Sequence, residues 1–182
     1  GAAVARLAEL SDHAPWRVRL AFATSGGQGL GVGKTGPEDF VKRLGGALGV
    51  SLSHAELREI WGLDLRRPVE GMLELLEETL ASGAAVGLLS DTNLLHWEYL
   101  AAQWPLLARV PYRFLSFEAQ MRKPSLEFFR YAESRLREAE NGRAAGPPVY
   151  FDDLEPNVRG ALDAGWDAHL FSGAASARAI LV

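Results

Sequence analysis

The chain has 182 residues, 48% of them hydrophobic and 23% charged, a size and composition that predict one globular domain, with room for a small inserted lobe. Its formal net charge of −4 argues against a nucleic-acid or anionic-membrane surface, and no apolar run approaches the roughly 20 residues that span a bilayer. Because no secretion signal is visible, we expect a cytoplasmic protein. The absence of cysteine excludes disulfides and thiolate metal sites.

The pattern of residues 1–67 predicts helices joined by glycine-rich turns. "PEDFVKRLGGAL" begins with Pro37, which suits the first turn of a helix, while Ser53 and Glu56 have the spacing of a capping box at the start of another. The first of these helices has an apolar stripe formed by Phe40, Val41, Leu44 and Leu48. A third segment, "WRVRLAFAT" (16–24), alternates in part like a strand.

Residues 26–36, "GGQGLGVGKTG", look at first like a phosphate-binding loop. A P-loop requires a glycine five positions before its Gly-Lys-Thr, but the residue five positions before Gly33 is Gln28. The Gly-x-Gly-x-x-Gly run that ends at Gly36 has the letters of a dinucleotide site, yet no buried strand precedes it and Pro37 follows at once. We therefore interpret the segment as a loop that can contact a substrate, not as a nucleotide site.

From residue 68 onward the pattern alternates between helices and strands, so 68–182 are expected to form an α/β core, a Rossmann-like parallel sheet flanked by helices. Four apolar runs are candidate strands: "AAVGLL" (84–89), "RFLSF" (113–117), "PVYF" (148–151) and "AHLF" (168–171). The first run is continuously apolar, which predicts a strand buried on both faces. The expected helices end at Gly83, at Asn141-Gly142 after a start capped by Ser125, and at Gly165.

Polar residues follow three of the four predicted strands, at the edge where open parallel sheets bind ligands. These residues are Ser90, Asp91, Thr92, Lys123, Asp152 and Asp153. A hydroxyl at a helix start can hold a phosphate, an ammonium can neutralise it, and paired carboxylates are ligands that Mg²⁺ prefers. The sequence therefore predicts a site that handles phosphoryl groups.

Each of these groups also has an ordinary structural interpretation. The run from Ser90 can cap the next helix, with Asp91 as the capping residue, and the two aspartates can form a turn before Pro156. Lys123 can be a solvated surface lysine. The hydroxyl run, the lysine and the aspartate pair all follow predicted strands of one sheet, and this shared placement favours the functional interpretation.

Three segments resemble motifs of the haloacid dehalogenase-like (HAD) hydrolases. "GLLSDTN" is similar to the second motif of that family, "MRKPSLEFFRYA" to the third, and "VYFDDLEPNVRGALDAGW" to the fourth. The helical region 1–67 resembles the small α-helical cap that the family inserts between its first and second motifs. The resemblance implies a HAD-like core in residues 68–182 and a phosphatase acting on a small phosphorylated metabolite.

The resemblance also implies roles for the site residues. Ser90, with Asp91 and Thr92, would bind the phosphoryl group, and Lys123 would stabilise its charge. Mg²⁺ would be the cofactor, held by Asp152 with support from Asp153. Asp91 stands where many relatives have Asn, which makes it a candidate substitute nucleophile or metal ligand.

The first motif of the family, Asp-x-Asp at the end of a central strand, does not occur in the sequence. Without that strand, the runs 84–89 and 148–151 would pair directly, recruit 16–24, or borrow a segment from another subunit in a homodimer that hides the exposed edge. A truncated product and a catalytically inactive phosphate-binding or interaction protein on the same scaffold are the remaining interpretations.

Overall fold

The structure is a computed structural model that describes residues 1–65, 67–140 and 146–181. The chain is shared between two compact units. One, which we call the helical unit, comprises Gly1–Arg66, Asp91–Leu107 and Leu115–Gln120; the other, the sheet unit, comprises Arg67–Ser90, Ala108–Phe114 and Met121–Val182. The domain boundary expected between residues 67 and 68 stays a prediction.

Helices and short strands make up a mixed α/β chain. In order along the described residues, the elements are α1 (Ala2–Ser11), α2 (Pro15–Thr24), α3 (Gly27–Leu30), α4 (Pro37–Leu48), α5 (His54–Gly62), α6 (Met72–Ala81), β1 (Gly87–Ser90), α7 (Leu94–Gln103), a 3-10 helix (Pro105–Arg109), β2 (Tyr112–Leu115), α8 (Ser116–Ala119), α9 (Leu126–Ala139), β3 (Val149–Asp152), α10 (Glu155–Asp163), β4 (Asp167–Leu170) and α11 (Ala174–Leu181). None of the described helices combines the length and apolar character that crossing a bilayer requires.

The helical unit packs α1, α2, α4, α5 and α7 around one apolar core. Three aromatic rings meet in this core, because the ring centroids of Phe22, Phe40 and Trp61 are pairwise 5.4 Å apart. The apolar stripe predicted for α4 is confirmed as buried. The capping box at the start of α5 is also confirmed, since Ser53 and Glu56 exchange both hydrogen bonds.

Residues 16–24 belong to helix α2, so their interpretation as a strand-like segment is wrong, and so is the idea that they are recruited into the sheet. Pro15 stands in the first turn, where its missing N–H costs nothing. Val18 and Ala21 are the buried residues, and a spacing of three places them on one helical face. The partial alternation of the sequence therefore did not indicate a strand.

The four predicted strands exist, each shifted by one to three residues from its predicted range, but they form two separate two-stranded sheets instead of one. β1 pairs with β2, and β3 pairs in parallel with β4, with Val149 opposite Asp167 and Asp152 opposite Leu170. Direct pairing of β1 with β3 is absent among the described residues, which corrects that expectation. The homodimer proposed to cover the exposed edge stays a prediction.

The apolar run 84–89 is not buried on both faces, contrary to the prediction. All six of its residues are exposed or half-buried, and only Gly87–Ser90 forms the strand. A central strand is buried when neighbours flank both edges and helices cover both faces. Because β1 has a described neighbour on one side alone, the apolar sequence is left partly in contact with solvent.

The helices of the sheet unit end close to where the glycines predict. Gly83 follows α6 and Gly165 follows α10, both at positive φ, 80° and 86°, where a glycine has no Cβ penalty. Ser125 occupies the capping position of α9, but its side chain makes no capping hydrogen bond. The predicted stop at Asn141-Gly142 lies outside the described residues.

Candidate functional site

Asp152, the last residue of β3, lies at the centre of a hydrogen-bond network in the sheet unit. Lys123 Nζ lies 2.6 Å from Asp152 Oδ2, and the Tyr150 hydroxyl donates to the same oxygen at 2.5 Å. The other oxygen, Oδ1, accepts from the Leu154 amide and from Asn157 Nδ2, each at 2.9 Å. A carboxylate offers about four lone-pair directions, so these four donors saturate it.

The environment of Asp152 keeps it ionised although it is only 7% exposed. Burial by itself raises the pKa of this carboxyl, but hydrogen bonds from Lys123, Tyr150, Asn157 and the Leu154 amide together outweigh burial. The pKa of Asp152 therefore lies below its ordinary value. The buried ion pair at a strand end makes Asp152 and Lys123 candidate site residues.

Lys123 reaches Asp152 because the chain before α9 approaches α10 closely. A Cβ at Gly160 of α10 would lie 2.6 Å from the Pro124 carbonyl oxygen and 2.9 Å from Pro124 Cβ, so this approach requires a glycine. The Lys123 ammonium also donates to the Leu89 carbonyl of β1 at 3.2 Å. Lys123 thus bridges the ends of two strands, β1 and β3, that belong to different two-stranded sheets.

Tyr150 is a site residue that the sequence analysis missed. Side chains two residues apart on a strand point to the same face, so Tyr150 and Asp152 face the same way. The Tyr150 ring is fixed by edge-on packing against Phe129 and Trp166, with centroid separations of 5.6 and 5.7 Å. The Tyr-x-Asp spacing in "VYFDD" was the available signal for this role.

The boundary between the two units falls directly after β1, between Ser90 and Asp91. Ser90 is half-buried at the end of β1, and its hydroxyl has no hydrogen-bond partner among the residues that the structure describes. Asp91 is half-buried and has interactions of its own. The cap of α7 is Asn93, whose Oδ1 accepts from the His96 amide at 3.1 Å. The interpretation of Asp91 as the capping residue of that helix is therefore wrong.

The structure brings Lys123 and Asp152 into direct contact, and the same ammonium donates to the carbonyl of Leu89, the residue before Ser90. Asp153 is exposed beside Asp152. Within the described ranges, no group of three or more His, Asp or Glu side chains is arranged to hold a metal ion. Carboxylates are ligands that Mg²⁺ prefers, and Asp152 and Asp153 are consecutive in the sequence, but four donors already occupy the Asp152 oxygens.

The glycine-rich segment 26–36 folds in the helical unit as α3 followed by tight turns. The Lys34 and Thr35 amides both donate to the Gly29 carbonyl, at 2.8 and 3.2 Å, so they do not form an open anion cradle. The following helix begins at Pro37, after the lysine and threonine that a P-loop would place inside it. This geometry agrees with rejecting the nucleotide-binding interpretation.

Solved structures similar to the chain come from HAD enzymes. A HAD family enzyme from Bacteroides thetaiotaomicron matches 100% of this chain and 90% of its own, with a TM-score of 0.78 and 19% identity. A wild-type HAD family enzyme from that organism, in complex with magnesium and inorganic phosphate, matches 92% of this chain and 86% of its own (TM-score 0.67, 20% identity).

A third structure, of a predicted HAD-like family hydrolase from Porphyromonas gingivalis, matches 92% of this chain and 90% of its own, with a TM-score of 0.63 and 16% identity. The sequence itself matches no protein-family model and no curated protein. At these identities the likeness establishes the architecture. The chain therefore has the fold of the haloacid dehalogenase-like hydrolases.

Proposed function

We propose that this protein is a phosphatase that hydrolyses small phosphomonoesters with Mg²⁺ as its cofactor. The observation that carries the proposal is the nearly buried Lys123 ammonium, which lies between the Asp152 carboxylate and the Leu89 carbonyl. Leu89 directly precedes Ser90 in the sequence. The HAD fold supports it, because an enzyme of that fold was crystallised with magnesium and inorganic phosphate.

Each of the site residues has a chemical task in this proposal. The Ser90 hydroxyl, which has no partner among the described residues, would donate to an oxygen of the phosphoryl group. Asp91 and Thr92, the next two residues along the chain, are predicted to bind the same group. Lys123 neutralises the negative charge that the phosphoryl oxygens carry in the transition state. Tyr150 and Asn157 hold Asp152 in place.

Mg²⁺, when bound, would supply further positive charge next to the phosphoryl oxygens. Asp152 and Asp153 are the residues proposed to hold it. Four donors occupy the Asp152 carboxylate, so holding the ion would require Asp152 to exchange one of them. Lys123 would be the donor exchanged, because a divalent cation repels an ammonium.

Hydrolysis replaces the ester bond between phosphorus and the substrate oxygen with a bond from phosphorus to an incoming oxygen, and the leaving alkoxide takes up a proton. The incoming oxygen comes either from water or from a carboxylate, whose acyl phosphate is then hydrolysed by water. Asp91, a half-buried carboxylate directly after Ser90, is the group we propose for this step.

A second candidate function is phosphate binding without turnover on the same scaffold. The observation that favours it is that the Lys123 ammonium is already paired with Asp152, which leaves it less available to stabilise a transition state. Such a protein would bind inorganic phosphate at the same strand ends and release it unchanged.

Turnover of p-nitrophenyl phosphate, with and without Mg²⁺, tests both functions. We expect Mg²⁺-dependent turnover that falls by about 10²–10³ in Asp152→Asn and Lys123→Met, since each removes a charge at the reacting group. Lys42→Met, which changes an exposed lysine of α4, is the matched control and should keep full activity. Turnover that is indifferent to Asp152→Asn contradicts the phosphatase; calorimetric binding of inorganic phosphate without turnover supports the second candidate.

A further inference from the structure

Ser116, the first residue of α8, is a fully buried serine whose side chain joins segments far apart in the helical unit. Its relative exposure is 0%, and Thr92 lies 24 residues before it while Gly31 lies 85 residues before it. The Thr92 amide donates to Ser116 Oγ at 2.9 Å. The same Oγ lies 2.6 Å from the Gly31 carbonyl oxygen and 2.9 Å from the Thr92 carbonyl oxygen.

The chemistry of a hydroxyl makes this arrangement specific. A serine hydroxyl has one proton to donate and two lone pairs that accept. Ser116 Oγ uses a lone pair for the Thr92 amide and gives its proton to the Gly31 carbonyl, which is the nearer of its two acceptors. Because the group is buried, a residue without a hydroxyl would leave both the amide and the carbonyl without this partner.

The glycine segment 26–36 fits closely against the chain next to Ser116. A Cβ at Gly33, which has a φ of 69°, would lie 2.1 Å from the Phe117 carbonyl oxygen. A Cβ at Gly31 would lie 4.0 Å from the Thr92 carbonyl oxygen, in ordinary contact. The close fit at Gly33 and the hydrogen bonds of Ser116 therefore hold the glycine segment 26–36, Thr92 and the start of α8 together.

We propose that Ser116 is a positioning residue for phosphate binding: its hydroxyl fixes the Thr92 peptide, and with it the turn that follows Ser90, and anchors the glycine segment beside that turn. The inference rests on the proposed function, since Asp91 and Thr92 are the residues that it places at the phosphoryl group.

Two measurements on Ser116→Ala test the proposal. The first is amide hydrogen exchange of Thr92 in the free protein, which we expect to accelerate at least about tenfold because the buried acceptor is lost. The second is the dissociation constant of inorganic phosphate by calorimetry, with kcat/KM for p-nitrophenyl phosphate; we expect both to worsen about tenfold, since misplacing a binding group by about 1 Å can cost up to 10².

Two further variants keep the test sharp. Ser116→Cys keeps the size and a weak donor, so intermediate values are expected and a folding failure of the alanine variant does not end the test. Ser11→Ala removes a hydroxyl that donates to the Leu7 carbonyl within α1, and should leave both measurements unchanged.

The outcomes separate this inference from the proposed function. Faster exchange at Thr92 with unchanged phosphate affinity and kcat/KM overturns the positioning role while the phosphatase stands. Unchanged exchange at Thr92 overturns the hydrogen bond on which the role depends. A wild-type protein that neither binds phosphate nor turns over substrate contradicts the proposed function itself, and the positioning role with it.

Discussion

Lys123 Nζ and Asp152 Oδ2 lie 2.6 Å apart, and their side chains are only 10% and 6% exposed. An ion pair that water reaches so poorly differs from the surface pairs of the helices, where solvent screens the attraction. Removing both partners of a buried pair can be nearly neutral, but removing one leaves a buried charge without compensation. The pair therefore holds the ends of β1 and β3 in place and is sensitive to single substitutions.

Lys123→Met should lower the free energy of unfolding by about 3–5 kcal/mol, because it leaves the buried Asp152 carboxylate without a positive charge beside it. Urea denaturation followed by circular dichroism at pH 7 measures this. The matched control is Arg135→Met, which breaks the exposed pair between Arg135 and Glu138 of α9 and should change stability little. Equal effects of the two substitutions would show that the Lys123–Asp152 pair is solvated.

The stability of the protein should depend on the ionisation of Asp152 at acid pH. Its pKa is lowered from the ordinary 3.8, since four hydrogen bonds outweigh the burial that alone raises it. The folded state therefore binds this proton more weakly than the unfolded chain does. The stabilisation is present above about pH 3.8 and is lost as the pH falls through the lower, folded pKa.

Urea denaturation between pH 6 and pH 3 checks this dependence. Asp152→Asn cannot ionise, so its curve should lack the part of the acid destabilisation that belongs to Asp152, while its stability at pH 6 should already be lower. If the wild type and Asp152→Asn lose stability in parallel down to pH 3, Asp152 does not have a lowered pKa.

The central contact of the candidate site could be predicted because it follows from chain direction. Strands that precede helices in parallel units end at one edge, so Lys123 and Asp152, 29 residues apart in sequence, were expected at the same rim, and they are in contact. The spacing of apolar residues likewise located α4 correctly, since Phe40 and Leu44 fall on one face. Local patterns were sufficient in both cases.

The division of the sheet could not be predicted, because an apolar strand does not specify which strand it pairs with. The run 84–89 has the composition of a strand with two neighbours, and in the structure β1 has one. Ser116 was missed for a related reason. A serine looks the same in sequence whether its hydroxyl faces water or, as at Ser116, joins chain segments 24 and 85 residues away.

His96 should make the stability of the helical unit fall as the pH is lowered. Burial lowers the pKa of His96 from the ordinary 6.5, and the nearby Asp64 raises it by a smaller amount. Asn93 Oδ1 is occupied by the His96 amide, so Nδ2 of Asn93 faces His96 Nδ1 at 3.2 Å and requires an unprotonated ring nitrogen there. Folding therefore opposes protonation of this ring.

Since the folded pKa of His96 is depressed, its contribution is present above about pH 6.5 and declines below it, as the unfolded chain takes up the proton first. Denaturation curves at pH 7.5 and pH 5 should show a larger loss of stability for the wild type than for His96→Gln, which does not titrate. A steeper loss in the variant would contradict the assignment of a neutral His96.

Gly160→Ala tests the close approach that carries Lys123 to Asp152. The added Cβ would lie 2.6 Å from the Pro124 carbonyl oxygen and 3.0 Å from Phe129 Cε2, so backbone or a packed ring must shift. Overpacking of this kind costs about 1–3 kcal/mol. Because Pro124 adjoins Lys123, the shift should also lengthen the ion pair and reduce Mg²⁺-dependent phosphatase activity.

The control is Gly46→Ala in α4, where a Cβ would meet nothing within 4 Å and the glycine is helical. That substitution should stabilise the protein by about 0.5–1 kcal/mol, since alanine loses less conformational entropy than glycine when a helix forms. If urea denaturation shows that Gly46→Ala raises the free energy of unfolding while Gly160→Ala lowers it, the loss at position 160 comes from its contact with Pro124. A stabilising Gly160→Ala would mean that α10 and the Lys123–Pro124 segment are not in contact.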